Sequence, residues 1–218
     1  MKREKLFLYA GMIMTVLFAV WTYLLQIVDV RVAGETGMQV GFASVNCWFH
    51  RLTGVRLWLY HTTDWLGLIP LIVCFAFGGI GLKQMVKRRN PLKVDKDIIL
   101  LGIYYIIVVA CYLVFEMYPV NYRPIFIEGR LEASYPSSTT LLVLCVMPTL
   151  ALQVKRRVKR QHLCAWVVAI SMTFSVAMVI GRMISGVHWL TDIVGAVLLS
   201  TGLFWIYKGA VLLYCRDA

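Results

Sequence analysis

Six long apolar runs divide the chain, most of them bounded by charge. Residues 6–28 carry no charge and follow Lys2-Arg3-Glu4-Lys5. Four more uncharged runs occupy residues 65–82, 98–115, 137–154 and 163–181. The sixth, residues 189–207, holds a single charge, Asp192. Runs of about 18 to 23 residues match a hydrocarbon core of about 30 Å crossed at 1.5 Å per residue. Backbone groups in lipid must bond within their own segment, so each run is expected to be a helix. The first run is longer than a signal-peptide core and lacks a small-residue cleavage pattern, so it reads as a retained span. The pattern predicts an all-α fold: a six-transmembrane-helix bundle forming a single membrane-embedded domain over 1–218.

Residues 31–64 are too polar to span. Their later part mixes aromatic and basic side chains, which predicts a partly helical outer segment lying in the interface. Trp48, Trp58 and Trp65 then sit at headgroup depth.

Composition sharpens this picture. Apolar residues make up 60% of the chain and charged ones 15%, with mean hydropathy +0.75. Soluble domains carry about 25% charged residues. The net charge of +11 could indicate nucleic acid, but no soluble basic module exists to bind it. The cations are instead sorted by side. With the N-terminus inside, sixteen of the 22 Lys and Arg residues fall in inner segments. The outer set is Arg31, Arg51, Arg56, Arg123, Arg130 and Arg182, with no lysine. This bias predicts that both termini are cytoplasmic. It also leaves the outer side with arginine, whose planar fork suits phosphate. None of the six cysteines forms a Cys-x-x-Cys pair, and they read as small core residues rather than a metal or disulfide framework. The small size points to a multi-pass protein of a bacterial plasma membrane.

Three polar clusters fall on the same outer face. Asn121-Tyr122-Arg123-Pro124 follows the third span, Tyr135-Pro136-Ser137-Ser138-Thr139-Thr140 opens the fourth, and residues 181–192 join the last two. His188 and Asp192 are i and i+4, so on a helix they share a face. A carboxylate beside an imidazole fixes its tautomer and makes the other nitrogen a better nucleophile or base. Pro136 ahead of two serines marks a helix start whose free N–H groups and dipole favour phosphate. Each residue taken singly has a plainer reading: Asp192 as a helix-start carboxylate, the arginines as headgroup contacts. Their convergence on one membrane face makes a site for a phosphorylated headgroup, with the face turned outward.

These clusters resemble the signature of the type 2 phosphatidic acid phosphatase superfamily. Its motifs are Lys, six residues, Arg-Pro; then Pro-Ser-Gly-His; then Ser-Arg, five residues, His, three residues, Asp. Arg182, His188 and Asp192 keep the third spacing. The resemblance implies that His188 takes the phosphoryl group and Asp192 orients it. Arg123 and Arg182 would bind phosphate oxygens, helped by Ser137 and Ser138. It implies a lipid phosphate or polyprenyl diphosphate substrate among membrane lipids and no metal or other cofactor.

Ser138 in place of the family's glycine is a mild departure from the pattern, and two others bear on the chemistry. Glu116 stands seven residues before Arg123, where the family has lysine. It either pairs with Arg123 or Arg182 or faces a cationic part of the substrate. Thr139 stands where the family has its general-acid histidine. Threonine cannot titrate near neutral pH, and general acid–base help is worth about 10²–10⁴-fold. The expectation is therefore an impaired phosphatase that favours diphosphates. The alternative is a catalytically silent protein that binds lipid phosphates.

Overall fold

The computed structural model describes residues 2–90 and 93–215, most of them helical. Arg216, counted above among the inner cations, lies outside the described residues. The helices are α1 (Arg3–Ile27), α2 (Ala43–Thr53), α3 (Leu57–Leu66), α4 (Leu68–Arg88), α5 (Lys96–Met117), α6 (Ser138–Arg157), α7 (Gln161–Ile184) and α8 (Leu190–Tyr214). Among the described residues, six segments are long and apolar enough to cross a membrane, and α3 with α4 counts as one of them. Each spanning helix outruns its uncharged core at one end or both, because charged side chains at a span's end reach the interface without breaking the helix. Side chains such as Ile13, Phe75, Ile106 and Trp166 are exposed on the bundle's outer surface, where lipid would cover them.

Two features differ from the sequence expectation. The later part of 31–64 is largely helical, as α2 and α3, but the sequence assigns no element to its earlier part. That earlier part begins with a short antiparallel hairpin, β1 (Arg31–Ala33) against β2 (Met38–Val40), an exception to the all-α pattern. Strands of three residues are too short to show an alternating pattern in sequence. Their turn is made by Gly34 and Gly37, both at positive φ. The second difference is at Gly67, with φ −61° and ψ −15°. That conformation stays right-handed helical, so α3 runs on into α4 and lengthens the second span. The stretch around Asp64 is therefore the head of a membrane helix.

Small residues set the packing. A Cβ on Gly11 would lie 2.8 Å from the backbone nitrogen of Ile206, and one on Gly202 would lie 3.0 Å from that of Thr15. The backbones of α1 and α8 therefore touch, as small residues allow inside membranes. The most enclosed helix is α6, with Val143, Cys145 and Val146 fully buried. It packs with α8 around Leu101, Tyr104, Leu141 and Leu199.

The two ends of the bundle differ. At one end, three connections lock together. The Arg56 N–H donates to Ser185 O at 2.8 Å, the Glu35 N–H to Pro124 O at 2.7 Å, and Trp189 Nε1 to Tyr122 O at 2.8 Å. At the other end, Arg157 Nη2 lies 2.7 Å from Asp97 Oδ2 and Arg88 Nη1 lies 2.8 Å from Asp95 Oδ1.

Candidate active site

His188 lies in the connection 185–189, just ahead of α8, and is 3% exposed. That short connection is pinned from outside α7 and α8. Gly186 sits at φ +73° against Gly54, and His50 Nε2 lies 3.1 Å from Gly186 O. The segment expected to lie in the interface thus also braces the loop that carries His188.

The surroundings of the imidazole assign its tautomer. Nδ1 is 3.2 Å from Ser134 O, and Nε2 is 3.2 Å from Arg182 Nη2. A carbonyl only accepts and a guanidinium only donates, so Nδ1 carries the proton and Nε2 presents its lone pair. Burial first, then the charges of Arg123 and Arg182, hold the imidazole well below its usual titration range. The result is a neutral ring with a bare Nε2 aimed at a cation.

The geometry around Asp192 differs from a helical i, i+4 pair. His188 precedes the helix, and Asp192 is the third residue of α8. Asp192 Oδ2 accepts the Trp189 N–H at 2.9 Å, and Oδ1 accepts Asn121 Nδ2 at 3.1 Å. Its Oδ2 is 3.7 Å from His188 Nδ1, beyond hydrogen-bond reach. The hydrogen bond that orients the ring comes from the Ser134 carbonyl. Asp192 adds a nearby charge and caps α8. A backbone acceptor like Ser134 O leaves no trace in a residue pattern.

The two arginines converge on the ring of Tyr60. Arg182 lies over it at 4.8 Å and Arg123 at 5.2 Å. Such contacts are worth about 0.5–2 kcal/mol each. Arg182, in the last turn of α7, is 1% exposed. Its Nη1 donates over long distances, 3.5 Å to Tyr60 O and 3.4 Å to Thr63 Oγ1, and lies 3.7 Å from Asp64 Oδ1. Arg123 Nε lies 3.0 Å from Glu132 Oε2 but points off the hydrogen-bond line. Arg123 Nε, Arg123 Nη1 and Arg182 Nε are buried without a hydrogen-bond acceptor on the protein. A buried donor left unpaired costs about 1–3 kcal/mol, more when charged. An anion placed between the two forks would recover that cost.

Glu116 makes neither of the ion pairs considered for it. Those places are taken by Glu132 beside Arg123 and Asp64 beside Arg182. Glu116 instead lines a small polar cleft of about 20 Å³ with Ser138 and His188. Ser137 stands just ahead of α6 without its side chain bonding the helix's free backbone N–H groups; its own N–H donates to Asp192 O at 3.3 Å and its hydroxyl to Thr140 Oγ1 at 3.0 Å. Ser138 is half-buried and borders both this cleft and a second one. The second cleft is larger, about 450 Å³, and mainly apolar. It runs from Asp64 and Thr139 past Leu71, Val108 and Leu142 between α4, α5 and α6. Thr139 is 9% exposed at its head. Asp64 and Tyr60 went unread as site residues in the sequence, the first because a charge at the edge of an apolar run reads as a span boundary. Among the described residues, no group of three or more His, Cys, Asp or Glu side chains is placed to hold a metal.

A family model described as the PAP2 superfamily matches residues 67–213. No curated protein matches the chain in sequence. Among solved structures, the chain is similar to a transmembrane PAP2 type phosphatidylglycerolphosphate phosphatase from Bacillus subtilis. The identity is 17% and the TM-score 0.68, over 96% of this chain and 100% of that one.

Proposed function

Because the chain belongs to the PAP2 superfamily, we propose that it is a membrane phosphatase that removes a phosphoryl group from a lipid phosphate or polyprenyl diphosphate. The observation that carries this reading is the pair of buried arginines converging on Tyr60, with Arg123 Nε, Arg123 Nη1 and Arg182 Nε unpaired and Arg182 Nη2 at the unprotonated Nε2 of a neutral histidine. Arg123 and Arg182 hold the phosphoryl oxygens. The first-turn amides of α6, which have no partner in the helix's own ladder, add donors beside Ser138.

The chemistry follows in two steps. His188 Nε2 attacks phosphorus, a P–N bond forms, and the P–O bond to the leaving group breaks in line with it. Water then attacks the phosphohistidine, the P–N bond breaks, and phosphate leaves with His188 neutral again. The Ser134 carbonyl and the Asp192 charge favour the Nδ1 proton as positive charge develops on the ring. The two arginines act where negative charge gathers on the oxygens. The apolar cleft between α4 and α5 takes the lipid tail. The sorting of Lys and Arg turns this end of the bundle outward, with both termini inside.

Threonine at 139 supports one second reading, a silent protein that binds lipid phosphates. Phosphate release from a polyprenyl diphosphate and a phosphatidate in detergent separates the two. Turnover that vanishes in His188→Asn supports the phosphatase. Tight binding of both lipids with no release supports the silent binder.

A further inference from the structure

Steps of this kind need a group that moves protons, and the residues assigned so far leave that role empty. His188 uses Nε2 as the nucleophile and holds its Nδ1 proton against Ser134 O. Ser137, Ser138 and Thr139 do not titrate near neutral pH. Asp192 is engaged by the Trp189 N–H and Asn121 Nδ2, and Glu132 lies against Arg123; the carboxylates that open onto the two clefts are Asp64 near the end of α3 and Glu116 near the end of α5.

Their positions distinguish them. In an in-line transfer the leaving oxygen lies opposite Nε2 and carries the lipid. The proton donor therefore belongs on the side where the tail runs. Asp64 heads the large apolar cleft together with Thr139, whereas Glu116 borders the small polar one. The junction carrying Asp64 abuts Thr139: a Cβ on Gly67 would lie 2.9 Å from Asp64 O and 3.3 Å from Thr139 Cγ2. Asp64 Oδ1 and His188 Nε2 also face two arms of one guanidinium, at 3.7 Å and 3.2 Å. The Asp64 side chain is 58% exposed, so it can exchange protons with water.

We propose that Asp64 is the proton-transfer group of this site, standing in for a titratable side chain at position 139. This rests on the phosphatase reading above. The leaving oxygen takes the proton of the Asp64 carboxyl as the P–O bond breaks. The resulting carboxylate then takes a proton from the water that attacks phosphorus, and is restored as the P–N bond breaks. A dianion arriving on Arg182 draws that cation away from Asp64, which favours a proton on the carboxyl for the first step. Arg182 on α7 lies 3.7 Å from Asp64, Tyr60 on α3 feels its charge, and Tyr112 on α5 shares its cleft; Arg123 and Glu132, from the connection 118–137, act on Tyr60 and Arg182 in turn.

Farnesyl phosphate and farnesyl diphosphate test this, since they share a tail and differ in leaving group. An alkoxide departs as the conjugate base of an acid about as weak as water. The farnesyl phosphate expelled from the diphosphate corresponds to a pKa of about 6. Asp64→Asn is expected to lower kcat on the monophosphate by about 10²–10⁴-fold with little change in KM. On the diphosphate it should give one rapid turnover, then slow release and an accumulating phosphohistidine. Asp64→Gly should regain kcat with added formate, a response that a purely structural carboxylate would not give. The acidic limb of kcat on the diphosphate should disappear in Asp64→Asn and persist in Glu116→Gln. The proposal is overturned if Asp64→Asn keeps kcat within threefold, if only KM changes, if formate does nothing, or if the limb goes with Glu116. A wild-type protein that releases phosphate from neither substrate overturns the phosphatase reading itself.

Discussion

Gly186→Ala asks whether the loop carrying His188 is held where the chemistry needs it. Gly186 sits at φ +73°, and a Cβ there would lie 2.0 Å from Gly54 O. A carbon and a carbonyl oxygen approach to about 3.3 Å without strain, so the loop must retreat by about 1.3 Å. Three contacts resist this: Arg56 N–H to Ser185 O at 2.8 Å, His50 to Gly186 O at 3.1 Å, and His188 to Ser134 O at 3.2 Å. The left-handed backbone costs a non-glycine residue about 1–2 kcal/mol. Overpacking adds about 1–3 kcal/mol. The expected destabilisation is thus about 2–5 kcal/mol. A shift of about 1 Å in a reacting group costs about 10²-fold in rate, so kcat/KM should fall at least that far. The assay is phosphate release in detergent beside thermal unfolding of the same preparation. Gly37→Ala is the comparison, since Gly37 has φ +66° in the hairpin turn with nothing within 4 Å of an added Cβ. It should lose only the backbone contribution and keep its kcat/KM. A Gly186→Ala protein with kcat/KM within threefold of wild type, or an equal loss in Gly37→Ala, refutes the reasoning.

Three further outcomes follow from the same geometry. Arg182→Lys replaces a two-armed donor by a point charge, and kcat/KM should fall by about 10²–10³-fold while the fold persists, measured by phosphate release. A phosphate-ester leaving group needs a proton less than an alkoxide does whichever residue supplies it, so the wild-type protein should favour a polyprenyl diphosphate over a phosphatidate in kcat/KM; equal or faster turnover of the phosphatidate contradicts this. Acid should destabilise the fold through His188, because its folded titration is pushed down by burial and by Arg123 and Arg182. The unfolded chain binds a proton below about pH 6.5 and the folded one does not, so stability is full above that value and falls beneath it by about 1 kcal/mol between pH 6.5 and 5.5. Denaturation of His188→Asn over this range should show a correspondingly flatter dependence.

The six spans were legible because the bilayer forces length and apolarity on every crossing, and those properties are local. The helix ends shifted by a few residues, since a charged flank continues the helix into the interface. The hairpin over residues 31–40 was not legible, as three-residue strands carry no periodicity. Arg123, Arg182, His188 and Asp192 could be singled out from spacing, and the fold brings them to one end of the bundle. Their contacts could not. The His188 ring is oriented by a main-chain carbonyl 54 positions away, and Asp192 instead caps α8. Asp64 was hidden for a different reason. A carboxylate beside an apolar run marks a boundary in any membrane protein, and only the close packing of α3 on α7, where a Cβ on Gly181 would lie 2.7 Å from Thr63 Cγ2, brings it to Arg182.

The most direct test is phosphate release by the purified full chain in detergent, from a polyprenyl diphosphate and a phosphatidate, with His188→Asn alongside. Release by the wild-type protein, faster from the diphosphate and abolished in His188→Asn, is the predicted result. Release that persists in His188→Asn, or tight binding of both lipids with no release by the wild-type protein, contradicts a phosphatase that works through His188.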